Sequence, residues 1–240
     1  MRFRSGVILI RMLTMSFRKK ISHNDTLMSG LASRGYFLCP LDDDENHCTF
    51  LNNSTADVSV TIVISIWDRV TFRCGLLIAS RGVGQQLRCK GLIFDDYVES
   101  AESHEVVAAV ELLWLRWNDD PQNAENYRND YSYVSDAGSR RFFEDLDTVG
   151  QRFISSIASA SQLAIFLENL DVYPVHIKFG GAPGSSDRFL YAALLYIDSG
   201  DPEAARRVLD RGALVLGNGS TDVQVRRYHS FMKRRQLLLS

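Results

Sequence analysis

The chain has 240 residues, 45% of them hydrophobic and 23% charged, with a formal net charge of -2. That balance excludes a disordered chain, a collagen-like repeat and a disulfide-dense miniprotein, and no run approaches the ~18 apolar residues of a membrane span. The near-neutral total conceals a polarised chain: residues 1–20 and 223–240 together carry 11 basic residues and no acid, so the body between them stands at -13.

Residues 1–16 are expected to be a flexible or upstream-translated N-terminus. Arg2 and Arg4 precede Val7–Ile10, but an apolar run of four residues, cut by Arg11, falls short of the ~7–15 residues of a signal-peptide core. Met12 and Met15 suggest that residues 1–14 are extra translation ahead of the natural start. From Phe17 to Ser33 the positions Phe17, Ile21, Met28 and Leu31 follow helical spacing, and Gly35 sits where a C-cap glycine belongs. A short strand follows at Tyr36–Cys39, then the acidic turn Asp42-Asp43-Asp44-Glu45, then a strand at Cys48–Asn52. In Asp57–Trp67 the residues Val58, Val60, Ile62, Ile64 and Ile66 alternate with smaller or polar ones, the period-2 pattern of a half-buried strand. Val70–Ile78 repeats it, and the short link Asp68-Arg69 predicts an antiparallel hairpin. A weaker strand is predicted at Gln86–Phe94, with Gly82-Val83-Gly84 as the turn before it.

The remainder reads as mostly helical. Predicted helices cover Ser103–Trp117, ended by Pro121; Ser139–Ile157, with the stripe Phe142, Leu146, Val149, Phe153 and Ile157; and Ser161–Leu170. The polar stretch up to Ser135 has no period. Val172–Phe179 reads as an edge strand carrying Pro174, and Gly180–Ser186 as a linker. Beyond it, Phe189, Leu190, Ala193, Leu194 and Ile197 mark one helix, Gly200-Asp201-Pro202 a turn, and Ala204, Ala205, Val208 and Leu209 a second helix. Asp222–Leu239 reads as a basic helix. The expected architecture is therefore α+β: an antiparallel β-meander packed by helices over residues 17–180, with a helical extension over 185–240.

Candidate chemistry is sparse. His104-Glu105-Val106-Val107-Ala108 starts like a metalloprotease helix but has Ala108 where the second histidine ligand is required. The Gly180–Ser186 loop lacks a P-loop lysine, and Gly82-Val83-Gly84 lacks the third glycine of a dinucleotide fingerprint. No GxSxG elbow occurs. Cys48 beside His47 places the two side chains on opposite faces of a strand. Cys39, Cys48, Cys74 and Cys89 all fall in segments read as strand and are expected to be reduced core thiols, which points to a cytoplasmic location; their spacing with His47 matches no common zinc site. No catalytic residue, cofactor or metal is expected.

The largest departure from average is electrostatic. Residues 95–130 hold ten acids against Arg116 and Arg128, a net -8. A solvated face explains this; so does a docking surface for a basic partner, through Asp95, Asp96, Glu99, Glu102, Asp119 and Asp120, with Tyr127 and Tyr131 as exposed aromatic anchors. The basic run Arg226, Arg227, Lys233, Arg234 and Arg235 around Tyr228 and Phe231 suits a helix C-terminus or an anionic surface, though nucleic acid is an unlikely partner on the acidic total.

The helix, Gly35-Tyr36-Phe37, the acidic turn, the Cys48-Thr49-Phe50 strand and the long alternating strand together resemble, in layout over Phe17–Phe94, small bacterial α+β proteins, several of which are immunity proteins accompanying polymorphic toxins. The hairpin around Gly200-Asp201 resembles a single tetratricopeptide-type repeat. The first resemblance implies a non-enzymatic protein that masks a basic toxin, here through the acidic face. The alternatives are an enzyme with its site in the sheet–helix cleft, and a helical adaptor or nucleic-acid accessory using the C-terminal helices.

Overall fold

The structure is a computed structural model, and it describes residues 21, 24–39, 47–52, 57–66, 71–90, 106–122, 131–132, 135–169 and 187–239. The fold is α+β, an antiparallel sheet packed by helices and followed by a helical C-terminal region. The acidic turn at 42–45, the link at 68–69, the strand expected at 172–179 and the linker at 180–186 lie outside the described residues, as do residues 1–20. No described helix is long and apolar enough to cross a membrane.

The sheet runs in the order β1 (Tyr36–Leu38), β2 (His47–Asn52), β3 (Val58–Ile66), β4 (Thr71–Ser80), β5 (Val106–Glu111), and a short strand β6 (Tyr131–Ser132) also pairs with β4. The meander expected from the alternating pattern is present. Tyr36 pairs with Asn52 and Cys48 with Ile64 in antiparallel register. Along β4 every second residue, from Phe72 through Cys74, Leu76 and Ile78 to Ser80, is buried. Alternation at this spacing is what one covered sheet face requires.

Two expectations fail here. The segment expected as a weak strand from Gln86 is the end of a helix, α2 (Arg81–Cys89). The Ser80 hydroxyl accepts from the Val83 N–H at 3.4 Å as N-cap, and Val83 and Leu87, four residues apart, are the buried side chains. Gln85, Gln86 and Arg88 are good helix formers, and together with the cap they outweigh the two glycines that read as a turn. Cys89 is consequently exposed on a helix, not buried in a strand, whereas Cys48 and Cys74 are buried free thiols. The helix expected over Ser103–Trp117 divides in two: strand β5, then α3 (Leu112–Asp119). Val107, Ala108, Ala109 and Val110 are buried in succession, a continuous apolar run that a strand covered on both faces accepts. The aperiodic stretch before Ser135 contains β6.

The chain forms two compact units, and strands β3 and β4 contribute residues to both. One unit contains the described residues within 21–52, 60–76 and 111–152. Here α1 (Asp25–Ala32) is capped by Asn24, whose side chain accepts from Leu27 N–H at 2.9 Å; its C-cap is Ser33, not Gly35 as expected, and Gly35 carries a positive φ of +80 in the turn that follows. α4 (Asp136–Asp145) starts at the Ser135 cap and runs on through a π-helical turn (Leu146–Gly150) into α5 (Gln151–Ser156). The expected stripe on this helix, from Phe142 to Ile157, is buried at all five positions. Phe72, Tyr131 and Phe142 form an aromatic triad with centroids 5.3–5.5 Å apart; Phe142 meets the other two rings edge to face, and Phe72 and Tyr131 are tilted at 36°.

The other unit contains the described residues within 57–59, 77–110 and 153–239. Its centre is α7 (Asp187–Asp198), buried at every position from Arg188 to Tyr196. A helix covered all round must be surrounded by others, and α7 packs against α2, α6 (Ala160–Glu168), α8 (Pro202–Gly217) and α9 (Asp222–Leu239). α2 and α6 fall in the same unit as α7–α9. The turn between α7 and α8 follows the sequence reading: Gly200 has φ +81, Asp201 caps Ala204 N–H at 2.8 Å, and Pro202 opens the helix. α9 has the bounds expected of it.

Candidate interaction surface

Among the expected docking residues, Asp95, Asp96, Glu99, Glu102 and Tyr127 lie outside the described residues. Asp119 closes α3, where it takes an ion pair from Arg152 and lies 4.0 Å from Arg116. Asp120 is the C-cap of the same helix, its N–H bonded to Arg116 O at 3.0 Å. Tyr131 is not an exposed anchor: it is 1% exposed, within the aromatic triad. Its pairing with β4 draws it inward, since Phe72 is its cross-strand partner.

Tyr131 belongs to a buried polar group instead. Its hydroxyl donates to Asp145 Oδ2 at 2.9 Å, and Arg116 Nε lies 3.6 Å from Asp145 Oδ1. Burial raises the Asp145 carboxyl above the usual range, while the Tyr131 hydroxyl and the charges of Arg116 and Arg141 pull it back. Burial pushes the Tyr131 phenol up, and the Asp145 charge adds to this. Nearby, Trp114 Nε1 donates to Glu111 Oε2 at 2.6 Å, and Arg73 lies 3.8 Å from the same carboxylate. Every carboxylate in this group is engaged by a cation or a donor, which is what a buried charge needs in order to be tolerated. The group accounts for packing around β4 and α4.

In the α7–α9 unit the basic run divides. Arg234 meets Asp187 at 3.0 Å with both side chains largely buried, and Arg235 pairs with Asp210. These two arginines hold α9 against α7 and α8. Phe231 is buried against Phe189 in an edge-to-face contact at 6.5 Å, and Gly212 of α8 leaves the room for both rings. On α6, Glu168 accepts from Tyr196 Oη at 3.1 Å and from Arg211 at 3.2 Å, and burial together with this carboxylate pushes the Tyr196 phenol up to about 12.

Arg226, Arg227 and Lys233 remain exposed on α9. The same two C-terminal helices carry exposed apolar side chains. Of nine large hydrophobic side chains exposed among the described residues, six lie between Leu214 and Leu239: Leu214, Val215, Val223, Val225, Leu237 and Leu239. Two depressions follow from this. One of about 210 Å³ at the α8–α9 turn is lined by Val215, Leu216, Gln224 and Arg227 among others. One of about 510 Å³ is lined by Met232, Lys233, Arg235, Gln236 and Leu239, all on α9. The sequence reading recognised the basic run but not the apolar residues within it, although their spacing is visible in the sequence. Among the described residues no group of three or more His, Cys, Asp or Glu side chains is placed to hold a metal ion.

Comparison with protein-family models, with curated proteins and with solved structures finds no match in any of the three.

Proposed function

We propose that this chain is a protein-binding module that docks its partner on the C-terminal helices. The observation that carries this reading is the concentration of exposed apolar side chains on α8 and α9, six of the nine among the described residues. Single exposed apolar residues need no explanation, but their concentration on two neighbouring helices, among exposed cations, suits an interaction surface. Immunity-type masking of a basic toxin is a second protein-binding reading, and it uses a different surface. It requires the acidic residues 95–130, of which the described Asp119 is already paired with Arg152. On α9, by contrast, Arg226, Arg227 and Lys233 are exposed.

The test is capture from a lysate of the source cells with the tagged full chain and with a Val225→Asp/Leu239→Asp variant. Both substituted positions are more than 40% exposed, so the variant is expected to keep the wild-type melting transition. Loss of specific partners from the variant alone supports the reading. Identical partner sets, or none from either chain, contradict it.

A further inference from the structure

The outward face of α9 has a spacing of its own. Val225, His229, Met232, Gln236 and Leu239 recur at intervals of four, three, four and three residues. This is the repeat with which one helix presents a seam to another. The inward face is a different set: Phe231 and Leu238 are buried, and Arg234 and Arg235 are ion-paired to Asp187 and Asp210. Val225 is 41% exposed and Leu239 43% exposed, at the two ends of the seam. Among the described residues the lining of the larger depression comes from α9, and it runs from Met232 to Leu239 along the helix.

Charge decides which helix the seam suits. In the heptad frame set by Val225, Met232 and Leu239, the residues immediately following the first two are Arg226 and Lys233, both exposed. These flanking positions select coiled-coil partners by charge. A second, antiparallel copy of α9 would bring the Arg226 and Lys233 side chains of the two helices against one another, which like-charge repulsion opposes. Phosphate backbones would use the cations and leave the apolar seam in water. We infer that the face of α9 formed by Val225, His229, Met232, Gln236 and Leu239 docks one amphipathic helix of a partner protein whose flanking residues are acidic. Met232 supplies an adaptable centre to the contact, and His229 and Gln236 fix its register, as polar residues in such seams do. This inference rests on the docking reading and adds the chemistry of the partner.

The experiment uses the full chain and synthetic helical probes of the same length as α9, followed by fluorescence anisotropy. One probe carries leucines at the four-three spacing flanked by glutamates, a second has lysines in place of the glutamates, a third has serines in place of the leucines, and the fourth is a single-stranded oligonucleotide. The glutamate–leucine probe is expected to bind at least about tenfold more tightly than the others. Arg226→Glu/Lys233→Glu is expected to reverse the preference toward the lysine probe, and Val225→Asp/Leu239→Asp to abolish binding at an unchanged melting temperature. Equal binding of the glutamate and lysine probes, or no binding of either, overturns the acidic-partner inference; the lysate capture separately decides whether the face docks a protein at all. Tight oligonucleotide binding that survives the seam variant overturns it in favour of nucleic acid. Self-association in sedimentation that the seam variant abolishes overturns it in favour of a second copy.

Discussion

Phe231 of α9 meets Phe189 of α7 edge-on at 6.5 Å, and this contact fixes which face of α9 turns outward. With Phe231 and Leu238 committed to the interior, the helical repeat leaves Val225, Met232 and Leu239 on another face. The Arg234–Asp187 and Arg235–Asp210 pairs hold the same rotation. What α9 offers a partner is thus decided by what it gives to its own unit.

Phe231→Ala is expected to destabilise the α7–α9 unit by about 3–5 kcal/mol, the usual cost of removing a buried phenylalanine. Gly212→Ala acts on the same junction from α8. An added Cβ would stand 2.7 Å from the Phe231 ring and 2.8 Å from Phe189 Cγ, so overpacking of about 1–3 kcal/mol is expected. Urea unfolding of each variant measures both. A Gly212→Ala chain as stable as wild type would show that the rings are not packed as described.

Gly138→Ala should be among the costlier single-methyl changes in the other unit. The new Cβ would lie 2.5 Å from Ser132 O and 2.7 Å from Ser132 N. Backbone cannot swing aside as a side-chain tip does, so α4 and β6 would have to separate. A loss of about 2 kcal/mol or more is expected, read by thermal unfolding, with Ala137→Gly as an exposed control.

Asp145 and Asp147 stand two residues apart and respond to pH in opposite senses. The hydrogen bond from Arg34 holds the Asp147 carboxyl below its ordinary value, so its contribution is present above the unfolded-state pKa of ~3.9 and lost as pH falls through the folded one. The Asp147 side chain is half exposed, which keeps that contribution below about 1 kcal/mol. Burial raises Asp145, so the folded state holds its proton more tightly, and stability falls as pH rises from ~3.9 through the raised value. Denaturation across pH 3–7, taken as a rough working range, is expected to show the acid-side loss reduced in Asp147→Asn and the loss on rising pH reduced in Asp145→Asn. The same change of slope in both variants would contradict this.

The fold was largely legible where one physical period dominated. Val58 to Ile64 and Phe72 to Ile78 announce strands by strict alternation, and Phe142 to Ile157 announce a helix by their stripe; all are placed as expected. The failures came where period and propensity disagreed. Val106–Val110 is apolar without interruption, so it fits a covered strand as well as a helix. Two glycines obscured α2, because the Ser80 cap and the Val83–Leu87 spacing are weaker signals than Gly82 and Gly84. The exposure expected of Tyr131 rested on its polar neighbours, and pairing with Phe72 overrode them. The α9 surface was half legible: Arg226 and Lys233 stood out, but which arginines were consumed internally depended on Asp187 and Asp210, far away in sequence.

The most direct measurement is methyl NMR of the full chain titrated with the glutamate–leucine probe. The account calls for shifts at Val225, Met232 and Leu239 that saturate together, with Leu238 and the buried Leu190 and Leu194 of α7 unmoved. Shifts centred on another element, or saturating binding that leaves those three methyl groups unchanged, would contradict it.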